Sequence, residues 1–179
     1  MKREIALFGA QCLRQKCARV AEVDDAIREL VADLFDSMHA AEGVGLAAPQ
    51  IGVLKRVCVV DVTAHQPNYQ PVALINPKIT GREGEQIGEE GCLSFPDLYG
   101  DVKRYAWVEV EAIGLDGQPF KTAGEGFYAR ALQHEIDHLD GKLFIDHLSP
   151  LKRQLMRGAL KRLKKESAAQ AKASAIDSI

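Results

Sequence analysis

In Gln133-His134-Glu135-Ile136-Asp137-His138, two histidines stand four residues apart with a glutamate directly after the first. On a helix that spacing places both imidazoles on one face, where they can bind a single metal ion. Glu135 then sits one residue round from that face, close enough to handle protons on a metal-bound water. The bland alternative is a solvated helix face whose histidines make ordinary hydrogen bonds. Leu132, Ile136 and Leu139 argue against it, because they make much of the helix apolar and so buried. Buried imidazoles need partners, and one metal would satisfy both.

A catalytic metal needs a third protein ligand and an open position. A third histidine six residues after His138 is absent, since that position is Phe144; the only later glutamate, Glu166, ends a basic helix. Asp146 and His147 lie just past the helix stop and are expected to face away. Cys92, in Glu90-Gly91-Cys92-Leu93-Ser94, remains: a thiolate beside a glycine can approach a metal closely. Cys58, within Val57-Cys58-Val59-Val60, reads instead as a small buried residue. Upstream, Gly43-Val44-Gly45-Leu46-Ala47-Ala48 matches a dinucleotide fingerprint, with Asp61 near the expected distance. It follows a helix rather than a strand, and Pro49 biases Ala48 away from helical geometry, so the nucleotide reading is set aside. An extended edge fits better, with glycines letting a peptide backbone approach and Gln50 supplying a neutral donor near the metal.

The elements that must position these groups can be traced along the chain. Asp24 and Asp25 cap a helix with Ile27, Leu30, Val31, Leu34, Phe35 and Met38 on its apolar face, ending by Gly43. Strands are expected at Val57 to Val62 and at Val72 to Ile75, the second closed by Asn76-Pro77, with mostly loop from Gly81 to Gly91. Trp107 to Ile113 alternates and turns through Asp116-Gly117 into Gln118 to Thr122. The motif helix runs from about Phe127 to Asp140, stopped by Gly141. A last helix begins at Ser149-Pro150 and continues to about Glu166. Residues 167–179, rich in Ala and Ser, have little reason to order. The sum is α+β: one domain over 1–166, short antiparallel sheets around a central HExxH helix, an N-terminal helix and a C-terminal basic amphipathic helix.

Three segments together carry a family resemblance. Gly43-Val44-Gly45-Leu46-Ala47-Ala48-Pro49-Gln50, Glu90-Gly91-Cys92-Leu93-Ser94 and Gln133 to His138 resemble the three signature motifs of the peptide deformylases, in order and separation, over roughly residues 1–165. The resemblance implies removal of the formyl group from the N-terminal methionine of nascent proteins, with release of formate. It implies Fe(II) as the physiological metal, with Zn(II), Ni(II) or Co(II) found in preparations; the donor set alone would not select iron. It places Cys92, His134 and His138 on the metal and makes Glu135 the proton shuttle. Gln50 and the backbone N–H of Leu93 become oxyanion donors, and Val44 and Gly45 pair with the substrate backbone. The methionine side chain is expected near Val44, Glu90, Phe127 and Ala131. The chain departs from the family in two places. Tyr99 stands where many bacterial members have arginine, although Arg104 is retained. Phe8-Gly9-Ala10-Gln11-Cys12 precedes Leu13-Arg14 without the usual proline.

Composition sets the outer bounds. At 46% apolar and 27% charged, the chain of 179 residues is that of a globular protein, not a disordered one. No apolar run reaches membrane-spanning length, and the stretch after Met1-Lys2-Arg3-Glu4 is too short for a signal peptide, so a cytoplasmic enzyme is expected, monomeric by default. Four scattered cysteines agree with a reducing compartment. The net charge of −2 hides an asymmetry: residues 149–179 carry eight Lys/Arg against Glu166 and Asp177, so the tail is +6 and the body −8. The tail has an apolar stripe of Leu151, Leu155, Met156, Ala159, Leu160 and Leu163, expected to pack on the body. Its bases lie off that stripe, either as a solvated face or as a contact with ribosomal RNA, since some members of the family dock at the exit tunnel through this helix.

Overall fold

The computed structural model describes residues 1–176. Helix α1 (Asp25–Ala40) starts where expected. The Asp24 carboxylate accepts the Ile27 N–H at 2.9 Å, and the face Ile27, Leu30, Val31, Leu34, Met38 is buried. Five strands form an antiparallel sheet in the order β1 (Gly45–Ala47), β2 (Val57–Val60), β3 (Val72–Glu83), β6 (Trp107–Ile113), β7 (Pro119–Glu125). Two further strands, β4 (Gln86–Glu90) and β5 (Gly100–Arg104), make a separate antiparallel pair.

Helix α2 (Gly126–Leu139) lies between the two sheets. It packs on β1, β2, β6 and β7, while its Arg130 and His134 reach Val102 on β5 and Glu90 on β4. Strand β2 shows why the layers cohere: Cys58 and Val60 join the α2 core, Val57 and Val59 the α1 core, by the two-residue alternation of a strand. At its start α2 satisfies one orphan donor by giving the Tyr128 N–H to Gln66 Oε1 at 2.8 Å. At its end Gly141 takes φ +71°, the left-handed stop that the sequence implied.

Three expectations are corrected. Asn76-Pro77 does not end the second strand; β3 continues to Glu83 across a register shift between Ile75 and Lys78. Asn76 tolerates φ +53° there, and its side chain exchanges hydrogen bonds with the Val20 N–H and C=O, at 2.9 and 2.8 Å. The glycine-rich acidic stretch from Gly81 is mostly strand rather than loop: β3 ends at Glu83, Gly84 at φ +60° turns the chain, and β4 begins at Gln86 in the second sheet. The tail forms two helices, α3 (Pro150–Leu155) and α4 (Arg157–Ile176), so residues 167–176 are helical; 177–179 lie outside the described residues. Alanine is the strongest helix former, which is what the Ala-rich composition contributes here. Contacts add to it: Ser167 is buried, and the Gln170 side chain accepts from the Leu7 N–H at 3.3 Å and donates to the Ile5 carbonyl at 2.9 Å.

The apolar stripe divides. Leu163 is buried against Phe8, Leu13, Phe95 and Phe144, with Met156 and Leu160 beside it. Leu151 and Leu155 face outward, 67% and 78% exposed. Among the described residues no helix is long and apolar enough to cross a membrane.

Candidate active site and metal centre

Cys92, His134 and His138 converge, their ligand atoms all within 4.8 Å of one another. His138 Nε2 lies 3.3 Å from Cys92 Sγ and 3.2 Å from His134 Nε2. Two imidazole nitrogens bonded at about 2.0–2.1 Å to a tetrahedral ion stand roughly 3.3–3.4 Å apart, so the cluster fits a small divalent cation. Asp146 and His147 do face away: Asp146 pairs with Arg14, and His147 Nε2 bonds Asp137 Oδ2 at 2.8 Å.

One of the three, His134, is held from behind. His134 Nδ1 lies 3.0 Å from Glu90 Oε2, the carboxylate–histidine pairing that orients a ligating ring. Glu90 also takes Arg104 Nε at 2.8 Å, Arg104 Nη2 at 3.0 Å and Arg130 Nη1 at 2.9 Å. Burial alone would raise the Glu90 pKa, but hydrogen bonds from His134 and Arg104 outweigh it and hold the carboxyl ionised, well below the usual range. The sequence placed Glu90 in the methionine pocket wall. It does line the cleft, but its carboxylate is committed to this network. Burial works against a charged His134, yet the Cys92 thiol and Glu90 raise its pKa; burial and His134 together keep His138 neutral.

Glu135 is buried and its pKa is raised to about 7, because desolvation disfavours its charge. Among the described residues its Oε2 has no hydrogen-bond partner, and neither has His138 Nδ1. The carboxylate packs over Gly45, where a Cβ would lie 2.7 Å from Glu135 Cδ, so any side chain there would have to displace the carboxylate. Gln50 is fixed by a short 3₁₀ turn at Ala48–Ile51. Its Oε1 accepts the Ala47 N–H at 2.8 Å, which turns Nε2 toward Ser94 Oγ at 3.2 Å and Cys92 Sγ at 3.5 Å. The Phe95 N–H bonds the Cys92 carbonyl at 2.7 Å, closing a turn around Leu93.

These groups open into a cleft of about 650 Å³. Val44, Gly45, Gln50, Glu90, Cys92, Leu93, Phe127, Ala131, His134 and Glu135 all line it, while His138 stays behind its wall. One side is β1, an edge strand of the large sheet. The sequence reading missed the roles of Arg130 and Ser94. Arg130 stands four residues before His134, on the same helical face, and that spacing was the available signal.

Fold and site chemistry together place the chain among the metallohydrolases built on an HExxH helix. A family model described as polypeptide deformylase matches residues 2–154. A peptide deformylase of Alkalilimnicola ehrlichii is 48% identical over 160 residues, 89% of each chain. The crystal structure of a peptide deformylase from Legionella pneumophila superposes with a TM-score of 0.85 at 43% identity, covering 94% of this chain and 98% of that one. That of Synechococcus elongatus, in complex with actinonin, gives 0.79 at 36% identity, covering 93% and 88%. The chain belongs to the polypeptide deformylase family, metal-dependent hydrolases that remove the N-formyl group from newly made proteins.

Proposed function

We propose that Cys92, His134 and His138 hold Fe(II) and that Glu135, Gln50 and the Leu93 N–H carry out deformylation of formyl-methionyl chains. The observation that carries this reading is the unpartnered, buried Glu135 Oε2 beside three converging ligand atoms. The ion, when bound, supplies Lewis-acid polarisation and makes water nucleophilic near neutral pH.

The substrate backbone extends along the β1 edge at Val44 and Gly45, and its first side chain enters the wall of Val44, Phe127 and Ala131. As water attacks the formyl carbon, Glu135 takes its proton. The developing oxyanion accepts hydrogen bonds from Gln50 Nε2 and the Leu93 N–H. When the C–N bond breaks, Glu135 passes that proton to the departing amine, and formate leaves. A carboxyl with a pKa of about 7 suits both halves of this transfer. Arg104 and Glu90 position His134 and take no part in proton transfer.

The test uses anaerobically purified, iron-loaded protein with formyl-Met-Ala-Ser, following formate. Formate is expected from the wild type and its near-complete loss in Glu135→Ala; release that survives the substitution would falsify the assignment. Internal peptide cleavage without formate would favour a metallopeptidase instead.

The enzyme works as a cytoplasmic monomer whose tail contacts ribosomal RNA. Arg153, Arg157, Lys161, Arg162, Lys164 and Lys165 are exposed on α3 and α4, which supports the RNA contact. Phosphate contacts would make co-sedimentation with ribosomes fall steeply with salt.

A further inference from the structure

Next to the wall assigned above to the substrate's first side chain the cleft is lined by one arginine, Arg130, which deformylation as described does not use. Arg130 is 5% exposed, yet it lines the cleft beside Ala131, His134 and Glu90. Both of its hydrogen bonds leave from one nitrogen: Nη1 donates to Glu90 Oε1 at 2.9 Å and to the Val102 carbonyl at 3.0 Å. Among the described residues no acceptor is found for Nε or Nη2, and neither is a fully buried atom like Glu135 Oε2 or His138 Nδ1, so both keep some exposure. Gly88 gives the guanidinium its room: a Cβ there would stand 3.1 Å from Nη2 and 3.5 Å from Cζ. Glu90 and Asp137 together balance Arg104 and Arg130, so what Arg130 presents is N–H donors with unspent capacity.

Resting on the substrate placement proposed above, we infer that Arg130 is a specificity-determining residue that reads a hydrogen-bond acceptor at the sulfur position of the first side chain. An apolar wall of Val44, Phe127 and Ala131 accepts any unbranched chain of the right length. A methylene at the sulfur position leaves the guanidinium N–H groups facing hydrocarbon, whereas a thioether is a polarisable, weak acceptor. A site with a buried polar donor rejects the analogue that lacks its partner, by a factor that grows with acceptor strength. Methionine is therefore favoured modestly over norleucine. Methionine sulfoxide, whose oxygen is a strong acceptor, is admitted rather than excluded for its polarity.

The experiment compares kcat/KM for formyl-Met-Ala-Ser, formyl-norleucyl-Ala-Ser and formyl-methionine-sulfoxide-Ala-Ser on the iron-loaded wild type, Arg130→Met and Arg130→Lys. The wild type should prefer methionine over norleucine by about three- to tenfold and process the sulfoxide within about tenfold of methionine. Arg130→Met should bring the methionine-to-norleucine ratio to about one and lose the sulfoxide, while Arg130→Lys retains part of both. Loss of the Glu90 ion pair lowers all three rates together and leaves the ratios untouched, so the ratios separate reading from support. A wild-type ratio of one, or ratios unchanged in Arg130→Met, would overturn the inference. No formate from formyl-methionine in the wild type would instead overturn the substrate placement on which it rests.

Discussion

The Glu135 carboxylate is confined by a missing side chain: Gly45 leaves the space it occupies. Gly45→Ala should push that carboxylate out of line and lower kcat by about 10²-fold, the scale of a misplacement near 1 Å. Metal content and thermal midpoint should stay near wild type; equal kcat in the variant would show that the contact does not matter. Gln50→Ala removes one oxyanion donor and is expected to cost about 10²–10³ in kcat with KM little changed, read by formate release. At this scale the sequence was legible where spacing forces geometry. His134 and His138 must share a face, and the Gly91-Cys92 pair suits a close thiolate. Arg130 and Arg104 were less legible, because arginine defaults to the surface unless its partners are known. Those partners, Glu90 and Asp137, come together only when β4, β5 and α2 pack.

Elements announce themselves by their ends and their period. Asp24 was readable as a cap, and Asp24→Ala should lower stability by about 1 kcal/mol in urea unfolding while leaving kcat alone. A matching loss of activity would mean that α1 helps shape the site directly. Helix α2 and the turn into β7 fell within a residue or two of expectation because their glycines sit at true boundaries. Gly84 and Asn76 misled for the opposite reason. Gly84 is the corner where the chain passes from one sheet to the other with strand on both sides, and Asn76 is a bulge held by Val20, 56 residues earlier in the chain. A local window contains neither fact. The same holds for α4, whose order depends partly on a contact between residue 170 and residues 5 and 7.

Across the whole molecule, distant segments are tied by buried charge. Asp33, almost wholly buried on α1, is held below its ordinary pKa of 3.8 by hydrogen bonds from the chain's amino group and from Arg3, the latter at 2.7 Å. A depressed carboxylate pKa means that the unfolded state binds more protons, so stability rises with pH across that window. The contribution is complete above 3.8 and disappears as pH falls through the lower folded value. Asp33→Asn should therefore lower the urea midpoint at pH 7, with the gap to wild type closing toward pH 2; a constant gap would refute the linkage. The tail needs a gentler test than deletion. Leu163 is part of the core, worth roughly 1.5–3 kcal/mol, so removing α4 would weaken the body as well as any RNA contact. Replacing Lys161, Arg162 and Lys165 with glutamate leaves the core intact. The triple variant should lose ribosome co-sedimentation at low salt while keeping its activity on formyl-Met-Ala-Ser; undiminished co-sedimentation would end the docking proposal.

The Gln170 clamp has a consequence in time. The segment it grips lies directly behind the site: the Ala6 N–H bonds the Gln50 carbonyl at 2.7 Å, and the Phe8 N–H bonds the Ser94 carbonyl at 2.9 Å. During synthesis Cys92, His134, His138 and Glu135 are all present once His138 has been added, yet the brace behind Gln50 and Ser94 arrives only with residues 163–170. An enzyme that trims other chains as they emerge thus receives this support of its own centre only after the centre's residues have been made.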